Sequence, residues 1–372
     1  MKRNFVFILI LFACFFGQSC AGGDDEDSTN DDSNDDVNDD SDDDLNDDSA
    51  NDDSVNDDID DDADDDVDYP DYPSDDVLRV NHLQCKGTHN SYHVQSPGFT
   101  HPEWRYSHQP LDIQLDLGVR KFELDVQYRP GENLHVFHIP VLDRRTTCEY
   151  LIDCLATVKQ WSDAHPGHHP IIIFLEPKGA FDLAGRHDQV EEEILMAWPR
   201  ERILTPDDVR GEFTTLREAV MQQGWPTLRE ARDRVIFHAH SSGEFRKHYL
   251  EGHPSLEGRL MFTDSSVDDP FAGIIVKNSP ESGFDEIQEI VAAGFLVRTR
   301  ADSCCDEALN NDREQMETAF ASGAHMISTD FPAPVEGFNY WVDIPLGTPS
   351  RCNPLTAPDF CVSEDIEDVT GQ

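Results

Sequence analysis

Basic residues are scarce in this 372-residue chain: 28 Lys and Arg stand against 76 Asp and Glu, a formal net charge of −48 at pH 7. An acidic surface repels phosphate backbones, which argues against nucleic acid as a partner. No C-x-x-C pair occurs among the nine cysteines, so a thiolate zinc site is not expected. No glycine-rich fingerprint follows an apolar run, which argues against a dinucleotide-binding open sheet. The N-terminal apolar run, Phe5 to Phe16, is too short to cross a bilayer as a helix.

That run has instead the length of a signal-peptide core behind Lys2 and Arg3, and residues 1–20 read as an export signal. Gly17, Gln18 and Ser19 before Cys20 resemble a bacterial lipoprotein processing site, so Cys20 is expected to carry the lipid. Ala21 carries no inner-membrane retention signal, which directs the chain to the outer membrane or cell surface; simple secretion is the alternative. Residues 21–76 read as a disordered, Asp-rich linker. Within them, positions 24–76 hold 29 acids and no Lys or Arg, too little apolar surface to offset chain entropy. The aspartates lack the glycine and terminal glutamate of a loop that wraps calcium. Setting aside those 29 acids together with Lys2 and Arg3 leaves −21 for residues 77–372, one large domain. Seven cysteines remain there. In an exported chain they favour disulfides: Cys148 with Cys154, Cys352 with Cys361, and Cys85 with Cys304 or Cys305.

Short Val/Ile-rich runs alternate with helical patterns from residue 83 onward. The expected strands are Leu83–Thr88, Val119–Val126, Leu134–Ile139, Ile171–Leu175, Val235–Ala239, Arg259–Phe262, Phe295–Thr299 and His325–Ser328. Helical stretches such as Cys148–Ala164, His187–Ala197 and Phe284–Ala293 lie between them. This alternation predicts an α/β fold, a (β/α)₈ TIM-like barrel over residues 77–340 with some irregularity. Residues 341–372, rich in proline and with two cysteines, read as an irregular, stapled tail.

In such barrels functional groups sit at the C-terminal ends of strands. His89 and Asn90 follow the first run, Glu123 and Asp125 end the second, and His135 and His138 lie in the third. Glu176 and Lys178 end the fourth, and Asp330 follows the last. Glu123 and Asp125 are two apart on a strand and share a face. With Glu176 and the Asn90 carboxamide they make an oxygen-rich set suited to Ca²⁺ or Mg²⁺ rather than zinc. The plainer alternative pairs these carboxylates with arginines such as Arg120, Arg298 or Arg300.

The ordered set resembles the catalytic region of phosphoinositide-specific phospholipases C, in particular the bacterial calcium-dependent branch. The matching segments are Gly87-Thr88-His89-Asn90-Ser91-Tyr92-His93, Phe122-Glu123-Leu124-Asp125, His138-Ile139-Pro140 and Phe174-Leu175-Glu176-Pro177-Lys178. They continue through Leu204-Thr205-Pro206-Asp207-Asp208, Val297-Arg298-Thr299-Arg300-Ala301-Asp302 and Ser328-Thr329-Asp330. The resemblance implies that His89 and His138, rather than His135, are the catalytic pair. It implies Asn90, Glu123, Asp125 and Glu176 as Ca²⁺ ligands, and Lys178, Arg298, Arg300 and Asp330 as substrate contacts. The implied partners are a phosphoinositide or related phosphodiester lipid and a membrane surface, met by a monomer. A glycerophosphodiesterase and a non-catalytic lipid-binding module are the rival expectations.

Overall fold

The computed structural model describes residues 72–367, apart from 99–100, 180–182, 304 and 348. The export signal, Cys20 and the acidic run up to residue 71 therefore lie outside the described residues. Ten strands occur among the described residues: β1 (Leu83–Thr88), β2 (Val119–Gln127), β3 (His135–Val136), β4 (Ile171–Pro177), β5 (Val235–Ala239), β6 (Met261–Thr263), β7 (Ile274–Val276), β8 (Leu296–Arg300), β9 (Met326–Thr329) and β10 (Arg351–Cys352). Eight of them are parallel, in the order β6-β5-β4-β2-β1-β9-β8-β7, a nearly closed barrel whose one unpaired seam lies between β6 and β7.

The continuous apolar runs explain the parallel strands, which are covered on both faces: Ile171 to Leu175 and Val235 to Phe237 are each at most 2% exposed. Helices supply the outer layer. In the helix Leu151–Ala164, Leu151, Cys154, Leu155, Val158 and Trp161 are buried, the spacing of one helical stripe.

Two strand assignments differ from those expected. The run Leu134–Ile139 is not a barrel strand; only His135 and Val136 are extended, paired antiparallel to Gln127 and Val126 of β2. Seven residues separate β2 from β3, and a parallel crossover needs a dozen or more, so the chain can only fold straight back. The place of that strand in the barrel is taken by β7, whose three residues Ile274–Val276 are too short to announce themselves.

The tail closes the end of the barrel opposite the strand C-termini. Arg351 and Cys352 pair antiparallel with the first residues of β1, and Cys352 is bridged to Cys361. Glu367, fully buried, bonds the Arg120 guanidinium, which stacks over Trp161. Cys148 and Cys154 are also bridged. Cys85, however, is a free thiol, whereas Cys305 is disulfide-bonded without it. Position 85 is fully buried within the core of β1, which leaves the thiol no route to the residues after β8, and burial pushes it up to about 12.

Candidate active site

The turn after β1 is locked from several sides. The Ser91 N–H donates to Glu123 O, the Glu123 N–H to Ser91 Oγ, and the Gln114 amide to Ser91 O. Asn90 sits in the left-handed region at φ 44°, a conformation asparagine tolerates better than most residues. Gly87 is required for a different reason: a Cβ there would lie 2.8 Å from Lys121 Cδ, blocking that side chain's path to Glu123.

This turn holds His89 with Nδ1 2.9 Å from Asp330 Oδ1 at the end of β9, leaving Nε2 directed inward, 3.7 Å from Glu123 Oε1. Arg300 binds the other Asp330 oxygen at 3.2 Å. Burial, with Arg300 close by, lowers the His89 pKa against the pull of Asp330. The Asp330 carboxyl is held below its usual range, since His89 and Arg300 outweigh its burial. In the neutral ring, a proton on Nδ1 directed at Asp330 leaves the Nε2 lone pair facing the cleft.

A second dyad comes from the hairpin beyond β3. His138 Nδ1 lies 2.9 Å from Asp143 Oδ2, and the same oxygen meets His93 Nε2 at 2.9 Å. Trp104 packs edge-on against the His138 ring, with centroids 5.3 Å apart. Burial lowers the His138 pKa while Asp143 opposes it. Both histidines line one cleft of about 140 Å³ together with Asn90, Glu176, Lys178 and Arg300. Larger clefts exist, such as one of about 450 Å³ beside Phe284 and Arg313, but it gathers no comparable set of paired groups.

Carboxylates form the floor. The β2–β4 register sets Asp125 beside Glu176. Glu123 Oε2 is taken by Lys121 at 2.6 Å and Arg298 at 2.8 Å. Its burial would raise the pKa, but Arg298 and Lys121 together hold it well below the usual range. Asp125 is pushed the other way, well above its usual value, by burial and by Glu176 and Glu123, with Lys178 opposing. Lys178 binds Glu176 and lies 3.2 Å from Asp125. Raised above its usual value by those two carboxylates despite burial, it is a fixed cation where negative charge is crowded.

These residues fit a calcium ion. Asn90 Oδ1 is buried and accepts no hydrogen bond, an arrangement costly unless a cation satisfies it, and the buried Asp125 carboxylate beside it already draws the Lys178 ammonium to 3.2 Å, so the spot favours positive charge. Glu123 and Glu176 converge, offering donor atoms within 4.8 Å of each other and of His240. Asn90, Asp125, Glu176 and Oε1 of Glu123 would hold the ion, hard oxygens of the type Ca²⁺ takes.

The structure brings together His89, Asn90, His138, Glu176, Lys178, Arg300 and Asp330 around the cleft, with Glu123 and Asp125 beneath it. Arg298 is set apart: it is 1% exposed and spent on Glu123, Ser328 and Asn278. The arginine pairing weighed from sequence thus coexists with the oxygen set, on opposite oxygens of Glu123. His135 faces away and binds Glu132. Unforeseen were Asp143, Trp104 and Tyr106, and the pair His240–Asp264, bonded at 2.9 Å beside Glu123 and Glu176. His240 follows β5, so the strand-end rule that singled out Glu176 reaches it too. No sequence rule pointed to Asp143 or Trp104.

Comparison with known proteins bears on the fold and the family. Among the solved structures that share the fold are two bacterial enzymes. The Ca²⁺-dependent phosphatidylinositol-specific phospholipase C from Streptomyces antibioticus is 18% identical, with a TM-score of 0.53 over 68% of this chain and 95% of its own. A calcium-dependent phosphoinositol-specific phospholipase C from a Gram-negative Pseudomonas species, described with a myoinositol complex, is 20% identical with a TM-score of 0.53, over 71% and 95%. No curated protein matches the sequence. The family model for "Phosphoinositide phospholipase C, Ca2+-dependent" matches residues 78–132 and 127–354. With that match spanning most of its length, the chain belongs to the Ca²⁺-dependent phosphoinositide phospholipase C family.

Proposed function

We propose that this chain cleaves phosphatidylinositol-type lipids to diacylglycerol and a cyclic inositol phosphate. The observation that carries the reading is the pair of His–Asp dyads, His89–Asp330 and His138–Asp143, opening onto one cleft above a calcium-type oxygen set. The reaction needs one group to take a proton from the inositol 2-hydroxyl and another to give one to the departing glycerol oxygen. Positioned histidines typically contribute ~10²–10⁴-fold each to such transfers.

His89 presents a lone pair at Nε2 because Asp330 holds Nδ1–H, which suits the base. His138, oriented through Nδ1 by Asp143, suits the acid at Nε2. Arg300 and Lys178 line the same cleft and supply positive charge to the phosphate oxygens as they gain charge. When bound, Ca²⁺ would make the 2-hydroxyl more acidic and offset charge on the phosphate. Asn90, Glu123 and Asp125 keep that end of the cleft polar, so the inositol rather than the acyl chains belongs there. The same reading places the protein outside the cytoplasm, anchored through Cys20 and spaced by the acidic run. Bridges such as Cys148–Cys154 and Cys352–Cys361 support export, and acylation of Cys20 is the mark to seek by mass spectrometry of native protein.

The test is product identity. Incubated with phosphatidylinositol vesicles and Ca²⁺, the full chain should release diacylglycerol and a cyclic phosphate, resolved by phosphorus NMR. No release, or faster cleavage of glycerophosphoinositol than of the lipid, would move the assignment to a glycerophosphodiesterase.

A further inference from the structure

A third histidine–aspartate dyad takes no part in the proton transfers assigned to His89 and His138. It stands at the end of β5. His240 Nδ1 lies 2.9 Å from Asp264 Oδ2, and His238 Nε2 lies 2.7 Å from Asp264 Oδ1. His238 is fully buried and stacks on Phe174, with centroids 4.1 Å apart, and Arg246 donates to the Asp264 carbonyl at 2.8 Å. Asp264 is therefore held at three oxygens, and it holds the His240 ring in turn. With Nδ1 turned to Asp264, Nε2 is the nitrogen left for a ligand. Glu123, Glu176 and His240 each offer a donor atom, all within 4.8 Å of one another. Donors to one ion stand closer than that, and Glu176, whose side chain is 29% exposed, has room to close the gap.

A carboxylate on one ring nitrogen is how metal proteins aim an imidazole ligand: it sets the ring's angle and makes the other nitrogen a stronger donor. One imidazole with two carboxylates, and positions left for water, is a set of the kind Zn²⁺ accepts. Ca²⁺ takes oxygen, so the calcium set on Asn90 and Asp125 has no use for this nitrogen. Two donors are nevertheless common to both sets. Glu123 has a single oxygen to offer, because Oε2 answers Lys121 and Arg298. Two divalent ions on the remaining oxygen would repel each other at close range, so Oε1 serves one ion at a time.

We propose that Glu123 Oε1, Glu176 and His240 Nε2 form a site for a zinc-type divalent ion, oriented by Asp264, whose occupation excludes Ca²⁺ from the neighbouring oxygen set. The site stands on its own geometry, while the exclusion rests on the calcium reading above. Within that reading zinc is an inhibitor that excess Ca²⁺ relieves.

The probe is Co²⁺, whose visible absorption reports a nitrogen-bearing site of low coordination number, titrated into the metal-free full chain. Carboxylates of the acidic run bring no nitrogen and leave that band unchanged. The parent should give one saturable band, displaced by Zn²⁺ and, at higher concentration, by Ca²⁺. His240→Gln should weaken Co²⁺ binding by about 100-fold or more, and Asp264→Asn, which keeps the ligand but frees its ring, by about 10–100-fold. Ca²⁺ affinity, followed by calorimetry, should stay close to the parent's in both variants. A His240→Gln chain that binds Co²⁺ as the parent does, or one that loses Co²⁺ and Ca²⁺ affinity together, overturns the proposal. Co²⁺ and Ca²⁺ bound at the same time overturn it as well. A parent that binds Co²⁺ through His240 yet takes up no Ca²⁺ upholds the nitrogen site and overturns the calcium reading instead.

Discussion

His138→Ala lowers turnover of phosphatidylinositol by about 10²–10⁴-fold, the range for losing a positioned general acid. The ring is partly exposed and bonded only through Asp143, with Trp104 packed on its edge, so the core survives its removal and the circular dichroism spectrum is unchanged. The assignment as acid makes a narrower claim. A nitrophenyl inositol phosphate releases a leaving group that needs no proton, and with this substrate most of the loss disappears. Equal losses on both substrates would make His138 a binding residue instead. Asp143→Asn behaves as a weaker version of the same change, since the imidazole keeps its place but loses its orienting charge.

Glu123→Gln has the largest effect on stability. The carboxylate is 2% exposed and answers two buried cations, Lys121 and Arg298, through one oxygen. Removing the shared partner of a buried ion pair costs about 3–5 kcal/mol, because the remaining charges stay buried without an answer. Urea unfolding without added metal measures this, and Ca²⁺ binding followed by calorimetry weakens in the same variant. A second change, Arg298→Met in the Glu123→Gln background, recovers part of the loss; two strictly additive penalties would mean that the pair is not coupled. The pH dependence has a definite sign. Glu123 has a folded-state pKa below its ordinary 4.5, so its stabilisation is complete above that value and is lost as pH falls through the folded one.

Much of this centre could be read before any coordinates. Runs such as Ile171 to Leu175 are too apolar for a half-exposed strand, and ionisable groups at their C-terminal ends do not belong to a core. The barrel and its His89, Glu123, Asp125 and Glu176 rim follow from those two facts. What escaped notice was short or tertiary. Ile274–Val276 is three residues long and carries no period. Leu134–Ile139 has strand composition, yet the shortness of its connection to β2 decides its direction, and that is a geometric rather than a compositional fact. Cys85 counts as a candidate for pairing until its burial inside β1 is seen. Asp143 and Trp104 matter only because the hairpin and the loop after β1 bring them to His138. Arg298 was implied as a substrate contact, together with Arg300, by the family resemblance; depth in the barrel separates the two, one neutralising Glu123 and the other reaching Asp330.

The central claim is that the two histidine dyads work above a calcium-binding oxygen set. It is tested most directly by following water-soluble inositol phosphate released from phosphatidylinositol vesicles while Ca²⁺ is removed by a chelator and then restored. Release should stop in excess chelator and return when Ca²⁺ exceeds it, whereas the Asp125→Asn variant should need markedly more Ca²⁺ for the same rate. Release that continues undiminished in chelator would contradict the account, leaving Lys178, rather than a metal ion, as the cation of this site.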